Sequence, residues 1–261
     1  SLDEEHHSEV DFKRAYCLFM TDRQSEAFPI FARVKENVSY FQAPATYYYA
    51  HIAYTQGHYS TALDNFKRID NDPSFAPIVP YYVAQIYYKQ ENYRLLANYI
   101  APLVDDATSS RQSEMQRMLG EAYFRLGLYD SAKLVLDKYA ERIGLRALSR
   151  DDNYLLGVVD YKMQKWESAA KYLERVPTVE DSVTQNAYYH LGDCYLHLGD
   201  DERALIVLSQ LNPTGKVEYL KALCYARQKN VEEAREALRR AVKQENFLVF
   251  KAETESNFAD I

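Results

Sequence analysis

Leu119-Gly120-Glu121-Ala122-Tyr123-Phe124-Arg125-Leu126-Gly127-Leu128-Tyr129-Asp130-Ser131-Ala132 is the stretch whose reading decides the fold. Gly120 and Tyr123 lie one helical turn apart and share a helix face. Gly127 interrupts that helix in a tight turn. Ala132 opens a second helix whose small side chain lets the first approach closely, and Leu136 follows one turn on. A small residue facing a large one across two short helices is the signature of a packed helix pair.

The same pattern runs the length of the chain. The small residue of the second helix falls at Ala27, Ala62, Leu96, Ala132, Ala169, Ala204 and Ala234, at intervals of 35, 34, 36, 37, 35 and 30. The small residue of the first helix falls twelve earlier each time, at Ala15, Ala50, Ala84, Gly120, Gly157, Gly192 and Ala222. A large apolar residue follows the second small residue by four: Phe31, Phe66, Ile100, Leu136, Leu173, Leu208 and Leu238. An aromatic stands three before it in four copies, as Tyr59, Tyr93, Tyr129 and Trp166.

This period and these residues resemble the tetratricopeptide repeat (TPR), a helix–turn–helix unit of about 34 residues. The resemblance covers roughly residues 9–243. It implies an all-α, right-handed superhelical solenoid of about seven TPR-like helix pairs. The pairs are expected at about 9–22/24–37, 44–56/59–70, 79–90/93–105, 111–126/129–142, 151–163/166–176, 183–198/201–211 and 215–228/231–244. Residues 1–8 read as a flexible N-terminal segment, 9–244 as the solenoid, and 245–261 as a C-terminal cap or the start of a truncated further repeat. Asp105-Asp106-Ala107-Thr108-Ser109-Ser110 reads as a polar linker, and Asn212-Pro213-Thr214-Gly215 as an abrupt turn.

Some copies depart from the pattern. The first has Gln24 for the aromatic and no turn glycine. The third has Leu96 for the alanine, which should splay that pair slightly. The fifth has Asp160 where the core expects tyrosine, so it needs either a hydrogen-bonding neighbour or a rotated helix.

Composition bounds the function. Tyrosine is abundant, at 24 residues, and the net charge is −7. A net acidic chain is poorly suited to a nucleic-acid backbone. No apolar run reaches the roughly 20 residues of a membrane span. The chain begins at Ser1, which reads as trimmed. Cys17, Cys194 and Cys224 each stand two residues after the small residue of a first helix, and are expected to be small buried apolar residues too far apart for disulfides.

In the TPR family the first helix of each pair lines a concave face on which ligands usually lie. Carried onto this sequence, the lining positions are three before, and one, four and five after, the small residue of that helix. The candidate peptide-binding residues are therefore Tyr47, His51, Tyr54, Tyr81, Gln85, Tyr88, Lys89, Arg117, Glu121, Phe124, Arg125, Tyr154, Tyr161, Lys162, Tyr189, Asp193 and His197. Tyr219 falls in the same series. Rings with a polar tip offer large contact area at low entropic cost. The asparagine series of carboxylate-clamp TPRs is missing.

No catalytic motif is visible, and no cofactor or metal is expected. His190, Asp193 and His197 share one helix face, but the two histidines are about 10.5 Å apart in rise, too far to share one zinc. The expected function is a non-catalytic scaffold binding a peptide or protein. The alternative is a regulatory or sensory segment of a larger chain. The tyrosine-rich style resembles bacterial TPR proteins of the cell envelope, which implies a periplasmic or outer-membrane-anchored location, with a cytoplasmic one as the other possibility.

Overall fold

A computed structural model describes residues 2–105 and 111–259, with only the backbone of residues 2–4. Among the described residues every regular element is helical, and no helix is long and apolar enough to cross a membrane. Most of the linker expected at 105–110 lies outside the described residues.

The chain divides into two compact units, residues 1–127 and 128–261. The first holds α1 (Leu2–Met20), α2 (Gln24–Val34), α3 (Gln42–Thr55), α4 (Tyr59–Arg68), α5 (Val79–Lys89), α6 (Tyr93–Ile100) and α7 (Gln112–Arg125). The second holds α8 (Tyr129–Ile143), α9 (Arg150–Lys162), α10 (Trp166–Leu173), α11 (Ser182–His197), α12 (Asp201–Leu208), α13 (Gly215–Arg227), α14 (Val231–Gln244) and α15 (Leu248–Glu253), then a 3-10 turn at Ser256–Phe258. Within each unit consecutive helices form hairpins, and each hairpin packs on the next. The α11/α12 and α13/α14 pairs, for example, meet through α12 and α13.

One backbone feature repeats in every copy. The residue five before the small residue of the second helix has positive φ: Asp22 (60°), Gly57 (78°), Glu91 (54°), Gly127 (75°), Gln164 (58°), Gly199 (80°) and Lys229 (64°). In six of these turns the next amide reaches back to the carbonyl five residues earlier, as His58 does to Ala53 at 2.8 Å and Lys165 to Asp160 at 2.9 Å. This is the Schellman closure of a helix end, which satisfies carbonyls the helix leaves orphaned. It also explains how the first copy turns without glycine. Asp22 takes the left-handed conformation there, which a short polar side chain tolerates better than most.

The packing follows the small/large register. Ala15, Ala27, Ala50, Ala62, Ala132, Ala169, Ala204 and Ala234 are fully buried. A Cβ on Gly157 would stand 2.7 Å from the Leu173 side chain, and one on Gly192 would stand 2.6 Å from Leu208. Leu96 is accommodated as a buried residue. The large residues Phe31, Phe66, Ile100, Leu136, Leu173 and Leu208 are all buried. Phe66, for instance, meets Tyr47 of its own pair and stacks on Tyr82 of the following one at 5.2 Å.

Asp160 takes the first of its two expected solutions. It has no exposure, and the Lys133 ammonium stands 2.9 Å from its Oδ1. Ser168 Oγ donates to its other oxygen.

Several boundaries differ from expectation. α1 begins at Leu2, because nothing in residues 2–8 breaks a helix, and Ser8 is buried where Asn37 donates to it at 3.3 Å. α6 stops at Ile100 and α10 at Leu173, each ahead of a proline that cannot supply an amide hydrogen (Pro102, Pro177). Thr214 caps α13, accepting from the Val217 amide, so the turn at 212–215 is sharp as expected. One cysteine needs correction. Cys194 and Cys224 are buried and free, but Cys17 is exposed. Its two counterparts stand on α11 and α13, which pack against α10 and α12, whereas no helix of the described residues precedes α1.

Candidate functional site

The candidate residues sit on the first helices of the pairs: α3, α5 and α7 in the first unit, α9 and α11 in the second. The helical register that buries Ala50, Ala84 and Gly157 carries their neighbours three before and four after to the flank of the helix, where they are half-buried. Tyr47, His51, Tyr54, Tyr81, Gln85, Tyr88, Arg117, Phe124, Tyr154, Tyr161, Tyr189 and Asp193 all fall in this half-buried class. Lys89, Arg125, Lys162 and His197 are exposed, and Glu121 is buried.

In the first unit the rings form a continuous network. Tyr47 stacks on Phe75 at 5.2 Å and meets Tyr82 edge-on. His51 lies between Phe19 at 5.8 Å and Tyr82 at 5.4 Å, and burial lowers its pKa below the ordinary imidazole value. Tyr54 also meets Tyr82. Gln85 donates to the Tyr81 hydroxyl at 3.0 Å, while the Arg111 guanidinium lies over the Tyr81 ring at 4.1 Å. Such a cation over a ring face is attracted by the ring quadrupole.

A second arrangement appears once in each unit. Tyr88, four after Ala84, donates its hydroxyl to Glu121 Oε2 at 2.6 Å, one after the small residue of the next first helix. Tyr161, four after Gly157, donates to Asp193 Oδ2 at 2.5 Å in the same relative place. Burial raises the pKa of both phenols, and the facing carboxylate raises it further, Tyr88 to about 12. Both therefore remain donors at neutral pH. Arg117 and Arg125 also reach Glu121, each at 3.3 Å. These two carboxylates thus have internal partners and lock successive pairs together.

In the second unit Tyr161 also packs on Trp166 at 5.5 Å and on His190 at 4.3 Å. His197 stacks flat on Trp166 at 4.0 Å, its Nε2 3.8 Å from Asp193 Oδ1. Asp193 thus faces one of the two histidines of its helix, with Tyr161 as the closer partner. His190 Nδ1 is buried without a hydrogen-bond partner, and burial drops its pKa to about 4. Tyr189 is raised to about 12, mainly by burial. A cavity of about 300 Å³ opens beside these rings, lined in part by Gln185, Tyr189, His190 and Lys216. Among the described residues no three His, Cys, Asp or Glu side chains converge as metal ligands.

Tyr219, placed in the same series by its register, is not open. It is buried beneath the C-terminal segment. Phe258 meets its ring edge-on at 5.6 Å, and Lys251 lies over it at 4.6 Å. Sequence reasoning also passed over Tyr48 and Tyr82, which stack on Phe31 and Phe66 and join one pair to the next. The signal was present as the repeated doublets Tyr47-Tyr48 and Tyr81-Tyr82, whose second ring packs on the preceding pair.

Comparison with known proteins places these features. The family model for anaphase-promoting complex, cyclosome, subunit 3 matches residues 178–241, which span α11 to α14. No curated protein matches the chain. Among solved structures, YrrB, described as a TPR protein with an unusual peptide-binding site, has a TM-score of 0.60 at 21% identity, over 73% of this chain and 98% of its own. MamA MSR-1 has a TM-score of 0.56 at 20% identity, over 66% of this chain and 98% of its own. A tetratricopeptide repeat protein from Parabacteroides merdae ATCC 43184 covers 94% of this chain and 96% of its own, with a TM-score of 0.54 and 16% identity.

Proposed function

We propose that this chain, whose fold is that of the tetratricopeptide-repeat proteins, is a non-catalytic interaction scaffold. Its ligand is an extended segment of a partner protein, laid against the ring-bearing flanks of the first helices. The observation that carries this reading is Tyr219. In the last repeat, the ring equivalent to Tyr47, Tyr81, Tyr154 and Tyr189 is covered by an aromatic side chain of a short non-repeat segment. The equivalent rings of the other repeats are half-buried, with Phe75 stacked on Tyr47 and Arg111 over Tyr81, and the part of each ring that stays exposed offers an aromatic contact to a segment from elsewhere.

The charges narrow the ligand. Glu121 and Asp193 are satisfied internally, so the carboxylates of this surface are taken. Lys89 and Lys162 project from the ends of α5 and α9 as exposed cations. A segment that alternates aromatic with acidic side chains fits both features. YrrB, of the same fold, is described as having a peptide-binding site, which supports the class of ligand. Residues 9–244 are the scaffold on this reading, and 245–261 serve as its cap.

The test is selection of displayed random peptides on the parent chain. Binding of the selected peptides is then compared with Tyr81→Ala, Lys89→Glu and Lys162→Glu variants of matched helicity. A shared aromatic–acidic motif, weakened at least tenfold by one of these variants, supports the reading. Peptides without a common motif, or binding indifferent to all three changes, refute it.

A further inference from the structure

The outer face of α14 breaks a rule that the other repeats keep. The large residue four after the second small residue is buried to 1% exposure or less in Phe31, Phe66, Ile100, Leu136, Leu173 and Leu208. Leu238, the seventh, is only half-buried. The reason is visible within the first unit. Phe31 and Phe66 are each covered by a first helix of the following pair, which lays a ring on them: Tyr48 at 5.3 Å and 17°, Tyr82 at 5.2 Å and 10°. No helix of the described residues does this for Leu238.

Arg235, Leu238, Arg239, Val242 and Lys243 of α14 line a shallow depression of about 440 Å³, with Arg239 and Lys243 exposed and the other three half-buried. These residues share one helix face by spacing. Val231 at its start is 36% exposed. Arg235 is tied to Glu232 at 3.3 Å. Arg239 and Lys243 have no ion-pair partner among the described residues. At the positions of Arg239 and Lys243, the six earlier copies carry Ala32 and Glu36, Lys67 and Asn71, Ala101 and Asp105, Asp137 and Glu141, Glu174 and Thr178, Ser209 and Pro213. None of them places two cations there. The last copy therefore joins an uncovered apolar ridge to a basic border.

We infer that this face of α14 docks an amphipathic helix of a partner protein, one with an aromatic or leucine ridge flanked by Asp or Glu. The partner helix lies across α14 as a first helix lies on the pair before it. Its ridge covers Leu238 and Val242, and its carboxylates meet Arg239 and Lys243. Two apolar stripes crossing at a helix pair bury the contact, and the charge border sets partner choice. A second copy of this chain is a poorer occupant. On its α1, Glu9 is paired with Lys13 at 2.5 Å and Asp11 with Arg33 at 3.1 Å, so neither carboxylate is free to meet Arg239 and Lys243.

The experiment uses the full chain and two synthetic amphipathic helices with the same Leu/Tyr ridge, one flanked by Glu and the other by Lys. Fluorescence anisotropy reads their affinities, and a photoreactive side chain at Val242 reads the contact. The expected result is binding of the Glu-flanked helix, cross-linked at 242, with at least tenfold loss in Arg239→Glu/Lys243→Glu. The same double variant gains affinity for the Lys-flanked helix. The substituted side chains are exposed, so folding is retained and circular dichroism checks it. Equal affinity for both helices overturns the proposal, as does unchanged binding in the double variant. Loss of binding in Lys89→Glu/Lys162→Glu puts the peptide on the ring-bearing flank and also overturns it. Concentration-dependent self-association abolished by the double variant assigns the face to a second copy instead.

Discussion

The seven left-handed turn residues allow a perturbation that isolates backbone conformation from packing. Gly57 has φ of 78°, and a Cβ built on it meets no atom within 4 Å. Gly57→Ala therefore loses nothing to clash, and its cost is conformational. The left-handed region costs an ordinary residue about 1–2 kcal/mol. Restricting the unfolded chain by the same change returns about 0.4–1 kcal/mol. The net expectation is destabilisation by about 1 kcal/mol. Gln164 sits in the equivalent turn with φ of 58° and pays the opposite sign. Gln164→Gly is expected to stabilise by about 0.5–1 kcal/mol on the same two terms. Asp22→Gly should gain less, because a short polar side chain already tolerates this conformation. Repeat arrays unfold locally as well as globally, so one melting curve under-reports a local change. Hydrogen exchange of the closing amides, His58 for the first variant and Lys165 for the second, reads each turn directly. A shift of about 1 kcal/mol is roughly a fivefold change in protection. Unchanged protection in Gly57→Ala together with loss of protection in Gln164→Gly would refute the Schellman reading of these turns.

Three further outcomes follow from the packing. Gly157→Ala drives a Cβ to 2.7 Å from Leu173, costing about 1–3 kcal/mol of overpacking against about 1 kcal/mol of helix propensity, so urea unfolding should show modest net destabilisation, and the increment should shrink when the same change is made in a Leu173→Ala background. Asp160→Ala removes one of the two carboxylates that hold the Lys133 ammonium and leaves Asp137 at 2.8 Å, so it should cost about 1–2 kcal/mol, whereas Lys133→Leu/Asp160→Leu should unfold near the parent's midpoint, because a buried pair is easily matched by apolar packing. His190 binds its proton in the unfolded chain near pH 6.5 but in the folded one only near pH 4, so its contribution is intact above pH 6.5 and is lost as pH falls from 6.5 towards 4, by no more than about 3 kcal/mol; a pH series of unfolding midpoints should show that slope in the parent and lose it in His190→Phe.

The sequence by itself determined the helix pairs and their register. Small residues twelve apart and large ones four beyond are local, periodic facts, and close packing leaves few arrangements that satisfy them. The same register located the first-helix flank on which Tyr47, Tyr81 and Tyr161 stand, because side-chain direction along a helix is fixed by spacing. Tertiary structure decided what each position touches. Glu121 and Asp193 read as lining residues of the binding face, yet each is the acceptor for a tyrosine more than thirty residues earlier. Cys17 and Cys194 share a repeat position but differ in burial, since among the described residues only α11 has a helix pair before it. Tyr219 belongs to the ring series but lies under Phe258, and Leu238 belongs to the buried series but stands half-open. A repeat specifies its own pair through local spacing, whereas exposure at its ends depends on which neighbour arrives, and that depends on contacts distant in the chain.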